Sequence, residues 1–430
     1  MNLINSPWIP VASGKTITLK SLREIFNEPL RGQIRCPTPM EDVAIQRLLV
    51  AIAMAALQPR STEDIDKWVK NLLPAASLIL EYLEKWQDRF ELFSPRYPFM
   101  QVEGMTQDTT TSVSVLCLTR ATGNTPAWFD HSRDESPRGL SPEEAARALV
   151  AHQAFSVALG KSPAVILGGQ RLARGSRKDG TCTRGLMVWL VGSTIIETTL
   201  INLLSVAAGT PVWEDAEAYW KSDGLSQVEP VPFDGLCDRY TMMSRMVRLI
   251  QDNDGKVRHI YYSMGRSKTD DDPMSVYYLN TKTSEKVRQA APLSGLTWSL
   301  LERMLGAGGN QIIEQAESLS SLPRELVLKT AGLRSEANNA AKMIGWNRDI
   351  IPCFGKLIKD TKFKDQTITA IKEANKGESA IYWGKKQAFW TRLTPNFYYH
   401  LACGSYGEEW TAAIERTTST LKKHYWGKEK

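Results

Sequence analysis

The chain has 430 residues, 42% of them hydrophobic and 23% charged, an ordinary globular composition with enough apolar material for a sizeable core. Its 53 Lys and Arg against 47 Asp and Glu leave a net charge of +6, which permits phosphate contacts without demanding them. The longest apolar run, Leu48 to Leu57, is too short to span a bilayer. The start, Met1-Asn2-Leu3-Ile4-Asn5, lacks the plan of a signal peptide, and Cys36, Cys117, Cys182, Cys237, Cys353 and Cys403 lie too far apart for a zinc ribbon, so a soluble cytoplasmic protein is expected.

In chain order, Leu3 to Leu19 reads as a short hairpin turning at Ser13-Gly14-Lys15, followed by a helix over Ser21–Asn27. Glu41 and Asp42 open an Ala- and Leu-rich helix over Val43–Leu57, and another covers Ile65 to Phe90 with a break near Pro74. Residues 100 to 140 are loop-rich. Ser141-Pro142-Glu143-Glu144 combines an N-cap Ser, Pro in the first turn and Glu at the third position, and starts a helix running to Val157. A Gly-rich basic stretch, 158 to 185, precedes a strand at Leu186–Val191 and a helix at Ile195–Ala208. From Pro211 to Gly295 short apolar runs such as Tyr240–Ile250, Val257–Met264 and Ser275–Leu279 alternate with turns, as in mixed α+β or mostly β structure. Helices return at Thr297–Leu305 and Asn310–Leu319, then at Ile368–Asn375, Ala380–Ala402 and Glu408–Tyr425. The expected fold class is α+β: a large mixed N-terminal domain over 1–354, then a small C-terminal helical bundle over 355–430.

Motifs for common catalysis are missing. There is no HExxH, HxH or HD pair among five His, and no GxSxG, Walker A or GxGxxG. Asp130-His131 and Asp270-Asp271-Asp272 are the two places where a nuclease-like metal pair is conceivable. A loop-stabilising Asp beside a surface His, and an Asp-Pro turn, account for them more simply. Neither a cofactor nor a metal is expected.

Charge is unevenly spread. Between Gly160 and Gly185 lie Lys161, Arg171, Arg174, Arg177, Lys178 and Arg184, with Asp179 the only acid and six glycines interspersed. Glycine lets backbone N–H groups approach a phosphate rail, and the cations supply salt-dependent attraction; a solvated loop is the plainer reading. The second basic region is Lys356, Lys359, Lys362, Lys364, Lys372, Lys376, Lys385 and Lys386, where a DNA-tracking row and a solvated helix face both fit. Trp383, Trp390, Phe397 and Tyr398 fall at helical spacing, as bundle core does.

Several segments in order resemble one family, the large subunit (CasA) of the type I-E CRISPR surveillance complex, Cascade. They are Asn2–Val11, Ala44–Ala56, Asp88–Phe93, Tyr97–Gln101, Gly123-Asn124, Trp128–His131, Pro211–Glu214, Asp272–Met274 and Gly332 through Trp346. The resemblance implies a subunit that cuts nothing. It reads the PAM in double-stranded DNA from the minor groove, helps open the duplex for guide-RNA pairing, holds the displaced strand and supports a recruited helicase–nuclease or a nuclease carried by another subunit. Its partners would be the guide RNA, target DNA and the other Cascade subunits (backbone, 5′-end cap and small subunits), with no membrane. By resemblance, a glycine loop falls at Ala158-Leu159-Gly160-Lys161-Ser162, poorer in glycine than the family's richest examples. The DNA-reading lysine matches Lys268, with Arg266 the alternative. A strand-separating wedge falls between Leu333 and Lys342, where the family's Gln is absent and Asn338, Asn339 and Ala340 stand in its place; a helix start with no DNA role is the plainer reading. Trp128, Phe129, Asp130 and His131 match a loop that docks near the guide RNA's 5′ end and its neighbouring subunit. The bundle is shorter than the family's four-helix one, which implies altered nuclease recruitment.

Overall fold

The computed structural model describes residues 1–381 apart from 28, 121–136, 159, 173–174, 176–177, 216–231, 267–270, 293–296, 324, 337–338 and 353. The expected N-terminal hairpin is present: β1 (Ile9–Ser13) pairs antiparallel with β2 (Thr16–Lys20), and β3 (Gln33–Ile34) adds to the other edge of β1. Helix α1 (Leu22–Asn27) follows, burying Leu22, Ile25 and Phe26.

Helix α2 (Pro39–Leu57) is the core of the molecule. Thr38 caps it, its side chain accepting from the Glu41 N–H, and Pro39 occupies the first turn, so it starts a turn earlier than its apolar run suggests. It is buried on almost every side, as expected of a helix apolar all round. It packs against the helices Leu72–Lys85, Pro142–Phe155, Ile195–Leu200 and Leu236–Thr241 and the strand Val327–Glu336. The segment expected as one helix from Ile65 to Phe90 is three pieces: α3 (Thr62–Lys70), α4 (Leu72–Lys85) and a 3-10 turn at Gln87–Phe90. The break falls at Asn71, not Pro74; Pro74 sits in the first turn of α4, where its missing N–H costs nothing. Helix α5 (Pro142–Phe155) carries the expected capping box between Ser141 and Glu144.

The stretch from 158 to 185 is not all loop. It contains the hairpin β5 (Val165–Leu167) and β6 (Gln170–Leu172). Strand β7 (Met187–Val191) is fully buried, and α6 (Ile195–Leu200) ends well before Ala208. The run Tyr240–Ile250 splits into the end of the helix Leu236–Thr241 and strand β8 (Arg245–Gln251), which pairs with β9 (Val257–Met264); β4 (Thr111–Ser112) joins the far edge of β9. Strands β10 (Tyr277–Leu279) and β11 (Lys286–Arg288) form a small hairpin.

In the segment weighed as a wedge or a helix start, the described residues on either side of 337–338 are strand. They are the distal part of a long hairpin, β12 (Val327–Glu336) and β13 (Asn339–Ile351). Residues 327–331 of β12 pair with β7 to complete a sheet of order β13-β12-β7. A Cβ at Gly332 would lie 2.4 Å from the Gly185 carbonyl oxygen, so this close crossing requires glycine.

Three motif segments, one of them far from the others in sequence, meet in one aromatic cluster. Phe90 and Phe99 stack with centroids 5.2 Å apart, and Trp213 lies 5.2 Å from Phe90. Trp213 Nε1 donates to the Tyr82 hydroxyl (2.7 Å), which donates to Glu214 (2.5 Å). Burial, followed by the Glu214 bond, pushes the Tyr82 phenol well above its ordinary range.

Charges at the start of α2 fasten it to the hairpin. Asp42 accepts from the Cys36 N–H (2.6 Å) and pairs with Arg348 of β13 (2.8 Å). Beside it, burial pushes the Glu41 carboxyl up to about 7, with Arg147 at 3.9 Å opposing the shift. A raised carboxyl pKa means that the folded state binds the extra proton between about pH 4.5 and 7, so stability falls as pH rises through that window. Glu41→Gln is therefore expected to match wild type at pH 4 and to exceed it above pH 7, on the order of 3 kcal/mol, in urea unfolding at the two pH values. Equal midpoint differences at both would contradict this.

Beyond the sheet, the helices Phe354–Lys359 and Thr361–Ile381 follow, the second longer at both ends than the expected Ile368–Asn375. The other two expected helices lie outside the described residues, apart from 380–381. Lys359 donates to the carbonyls of Glu317 and Leu319, Lys364 pairs with Glu317 (2.7 Å) and Lys372 with Glu302 (3.1 Å). That part of the lysine row faces the protein itself.

Candidate nucleic-acid interface

The basic glycine-rich segment leaves the end of α5 and returns to it. Gly180 N–H and Thr183 Oγ1 both donate to the Ser156 carbonyl (2.7 and 2.8 Å), and Cys182 N–H to that of Ala154 (2.9 Å), closing the segment at its base. Gly160 adopts φ +59 with open space around it, and both it and Lys161 are exposed. The left-handed backbone there strains any L side chain by about 1–2 kcal/mol.

The other cations divide into two groups. Arg171, on the exposed β5–β6 hairpin, forms a two-point pair with Asp108 (2.7 and 3.3 Å), and Arg184 is half-buried against Asp179 (2.9 Å). Lys178 is exposed. Arg174 and Arg177 lie outside the described residues. Asp179 has a second role: its Oδ1 accepts from the Ala158 N–H at 2.6 Å, two residues before Gly160.

The end of β9 is stitched to the same place. Gly265 N–H donates to the Ser244 carbonyl and Arg266 N–H to that of Met243, both at 3.0 Å. Ser263 Oγ donates to the Pro163 carbonyl (3.0 Å), and Ser162 N–H to that of Gly175 (2.9 Å). The segment carrying Gly160 and Lys161 is thus joined, at Pro163, to the end of β9 two residues before Gly265, from about a hundred residues away in sequence. Lys268 itself falls outside the described residues, as do Trp128, Phe129, Asp130 and His131.

Between these two segments sits a residue that sequence reasoning missed. Arg245, at the start of β8, is 1% exposed. It donates to the carbonyls of Val157 and Lys178 (2.8 Å each) and Ser244 (2.7 Å), and to the Tyr262 hydroxyl (3.0 Å). Nothing local marks it; it begins a strand that carries a second arginine, Arg248, and ends on Gln251. Asp179 did carry a signal, as the only acid in the basic stretch.

Asn339 pairs with Glu336 at the distal end of the β12–β13 hairpin, and Ala340 follows it; Asn338 lies outside the described residues. Pairing with β7 ends at Ala331, so the two strands continue beyond it without a β7 partner, with Trp346 on β13 half exposed. The Gly185–Gly332 crossing roots this arm one residue from Arg184.

The two described residues of Asp270–Asp272 pair with different cations. Asp272 is 1% exposed and held by Arg47 at 2.7 and 2.8 Å, Asp271 pairs with Lys286 at 2.5 Å, and Asp270 lies outside the described residues. No group of three or more His, Cys, Asp or Glu suited to a metal occurs among the described residues. No helix among them is long and apolar enough to cross a membrane.

Comparison with known proteins agrees with this architecture. The family model described as CRISPR-associated protein Cse1 matches residues 2–427. The chain therefore belongs to the Cse1 family of CRISPR-associated proteins. It is 30% identical over 378 residues to the CRISPR-associated protein CasA/Cse1 of Thermus thermophilus, spanning 82% of this chain and 70% of that one. A solved structure of Thermus thermophilus CasA (Cse1) superposes with a TM-score of 0.76 at 25% identity, covering 98% of this chain and 90% of that one. A chain of a CRISPR RNA-guided surveillance complex shares the fold at a TM-score of 0.74 and 18% identity, covering 99% of this chain and 95% of that one.

Proposed function

We propose that this chain is the non-catalytic large subunit of an RNA-guided type I-E complex, which reads the PAM in double-stranded DNA and opens the duplex for guide-RNA pairing. The observation that carries the reading is the convergence of the Gly160–Lys161 turn and the Gly265–Arg266 strand end on one frame, with a hairpin arm rooted beside it. An exposed glycine turn brings backbone close to a groove, and the adjoining cations add phosphate attraction. Minor-groove readout of this kind is degenerate and admits several PAMs.

In this reading Gly160, Lys161, Lys268 and Arg266 touch the PAM, while Asn338, Asn339 and Ala340 at the arm's end part the first base pairs. Arg171, Arg174, Arg177, Lys178 and Arg184 add to the basic field. Trp128, Phe129, Asp130 and His131 dock at the guide RNA's 5′ end and the neighbouring subunit. Residues 1–354 carry these roles and 355–430 form the shortened bundle, beside which the displaced strand and a helicase–nuclease would lie. The setting is the cytoplasm, where guide RNA is held.

The deciding experiment is target binding by the assembled complex across a library of PAM sequences, for wild type and Lys268→Ala. The variant is expected to weaken binding to preferred PAMs by about tenfold and to flatten the preference, since a charge-assisted contact contributes about 1.5–3 kcal/mol. An unchanged preference would remove Lys268 from the interface.

A further inference from the structure

The proposed DNA-reading loop needs something to set its height and angle, and one buried group spans its two ends. Arg245 Nη2 donates to the Val157 carbonyl and Nη1 to that of Lys178, each at 2.8 Å. Those carbonyls flank the segment that carries Gly160 and Lys161. The same guanidinium donates through Nε to Tyr262, whose hydroxyl meets His152 Nε2 at 2.8 Å. The backbone of Arg245 is fixed too: Gln153 Oε1 accepts its N–H (2.9 Å) and Gln153 Nε2 donates to its carbonyl (3.0 Å).

The choice of residue is costly. At 1% exposure the charge is fully withdrawn from water, and its hydrogen bonds all go to neutral oxygens. A buried cation without a carboxylate is an expensive way to hold two strands of backbone, where an apolar side chain would fill the space more cheaply. What the guanidinium supplies is a rigid fork whose N–H groups meet separate carbonyls at fixed angles, which an ammonium cannot reproduce. Asp179 completes the frame on the other side, its carboxylate accepting from the Ala158 N–H (2.6 Å) and pairing with Arg184 (2.9 Å).

We infer that Arg245 and Asp179 are positioning residues for DNA reading: a buried guanidinium fork and a carboxylate that lock both roots of the Gly160–Lys161 loop in the pose that meets the groove. This rests on the reading of that loop as the PAM contact. Neither residue touches DNA. Arg245 is buried, and Asp179 is engaged with backbone and Arg184.

The test uses the assembled complex with Arg245→Lys, Asp179→Asn and, as a direct-contact control, Lys161→Glu. Each is assayed on a fully duplex target with varied PAM and on the same target with the guide-complementary region already unpaired, which needs no duplex opening. Arg245→Lys and Asp179→Asn are expected to lower duplex binding about tenfold and blur PAM preference, while binding to the unpaired target stays within about twofold. Equal loss on both targets would show a merely structural role and overturn the inference. So would full retention of PAM preference in both variants while Lys161→Glu loses it. If Lys161→Glu also keeps the preference, the loop is not the PAM contact and the reading beneath the inference fails instead. Asp179, about one third exposed, keeps the test alive if Arg245→Lys fails to assemble.

Discussion

Arg47→Met is expected to cost the fold about 3–5 kcal/mol, because it strands the Asp272 carboxylate in a dry interior. Both side chains are 1% exposed, and Arg47 Nη1 holds both oxygens of Asp272. The guanidinium also donates to Thr181 Oγ1 (3.1 Å) and the Arg239 carbonyl (3.3 Å), and lies 4.0 Å above the Tyr240 ring. Burial is the largest single influence and opposes its charge, but the neighbours, Asp272 foremost, together outweigh burial and raise the Arg47 pKa. One residue on α2 therefore ties down three distant segments, those around 181, 239 and 272. Removing both charges, as in Arg47→Met with Asp272→Leu, is expected to recover much of the loss, since no uncompensated ion remains. Chemical denaturation of the four proteins of this double-mutant cycle measures the coupling. Single-variant losses below about 1 kcal/mol would mean that water reaches the pair.

The second large effect concerns the arm. Deleting residues 337–340 removes the proposed wedge and leaves most of the β12–β13 pairing intact. Parting a base step costs a few kcal/mol, which the wedge is proposed to repay. Binding to a fully duplex target is expected to fall roughly a hundredfold, equivalent to about 2.7 kcal/mol. A target already unpaired next to the PAM should rescue it. Duplex binding that survives the deletion would place strand separation elsewhere. The double substitution Asn338→Ala with Asn339→Ala then separates the bulk of the tip from its amides: the bulk alone suffices if that variant opens the duplex normally.

Much of the helical half was legible in sequence because its signals are local. Ser141 with Glu144 announces a helix start through bonds spanning three residues. The β12–β13 hairpin was not legible. Leu328, Ala331 and Leu333 are buried, and so are Lys329 and Thr330 between them, so no inside–outside alternation appears. What makes these residues a strand is β7, which is remote in sequence. The same applies to the site. Gly160, Lys161 and Asp179 stand out by composition, whereas Arg245 matters only because folding brings Val157 and Lys178 to its two sides. Asp272 is the converse case: the acidic triplet reads most simply as an Asp-Pro turn, and only the fold shows that its last member is the buried partner of Arg47.

The pairing of β7 with β12 has a consequence for the protein's birth. Val191 pairs with Val327, and all five β7 residues are buried. Ribosomes add roughly 5–20 residues per second, so the sequence Met-Val-Trp-Leu-Val emerges on the order of ten seconds before its partner strand. During that interval an apolar strand edge waits uncovered, the kind of segment that seeks the wrong neighbour. Translation speed between residues 191 and 327, and whatever holds the nascent chain meanwhile, therefore bears on yield as directly as the stability of the finished sheet.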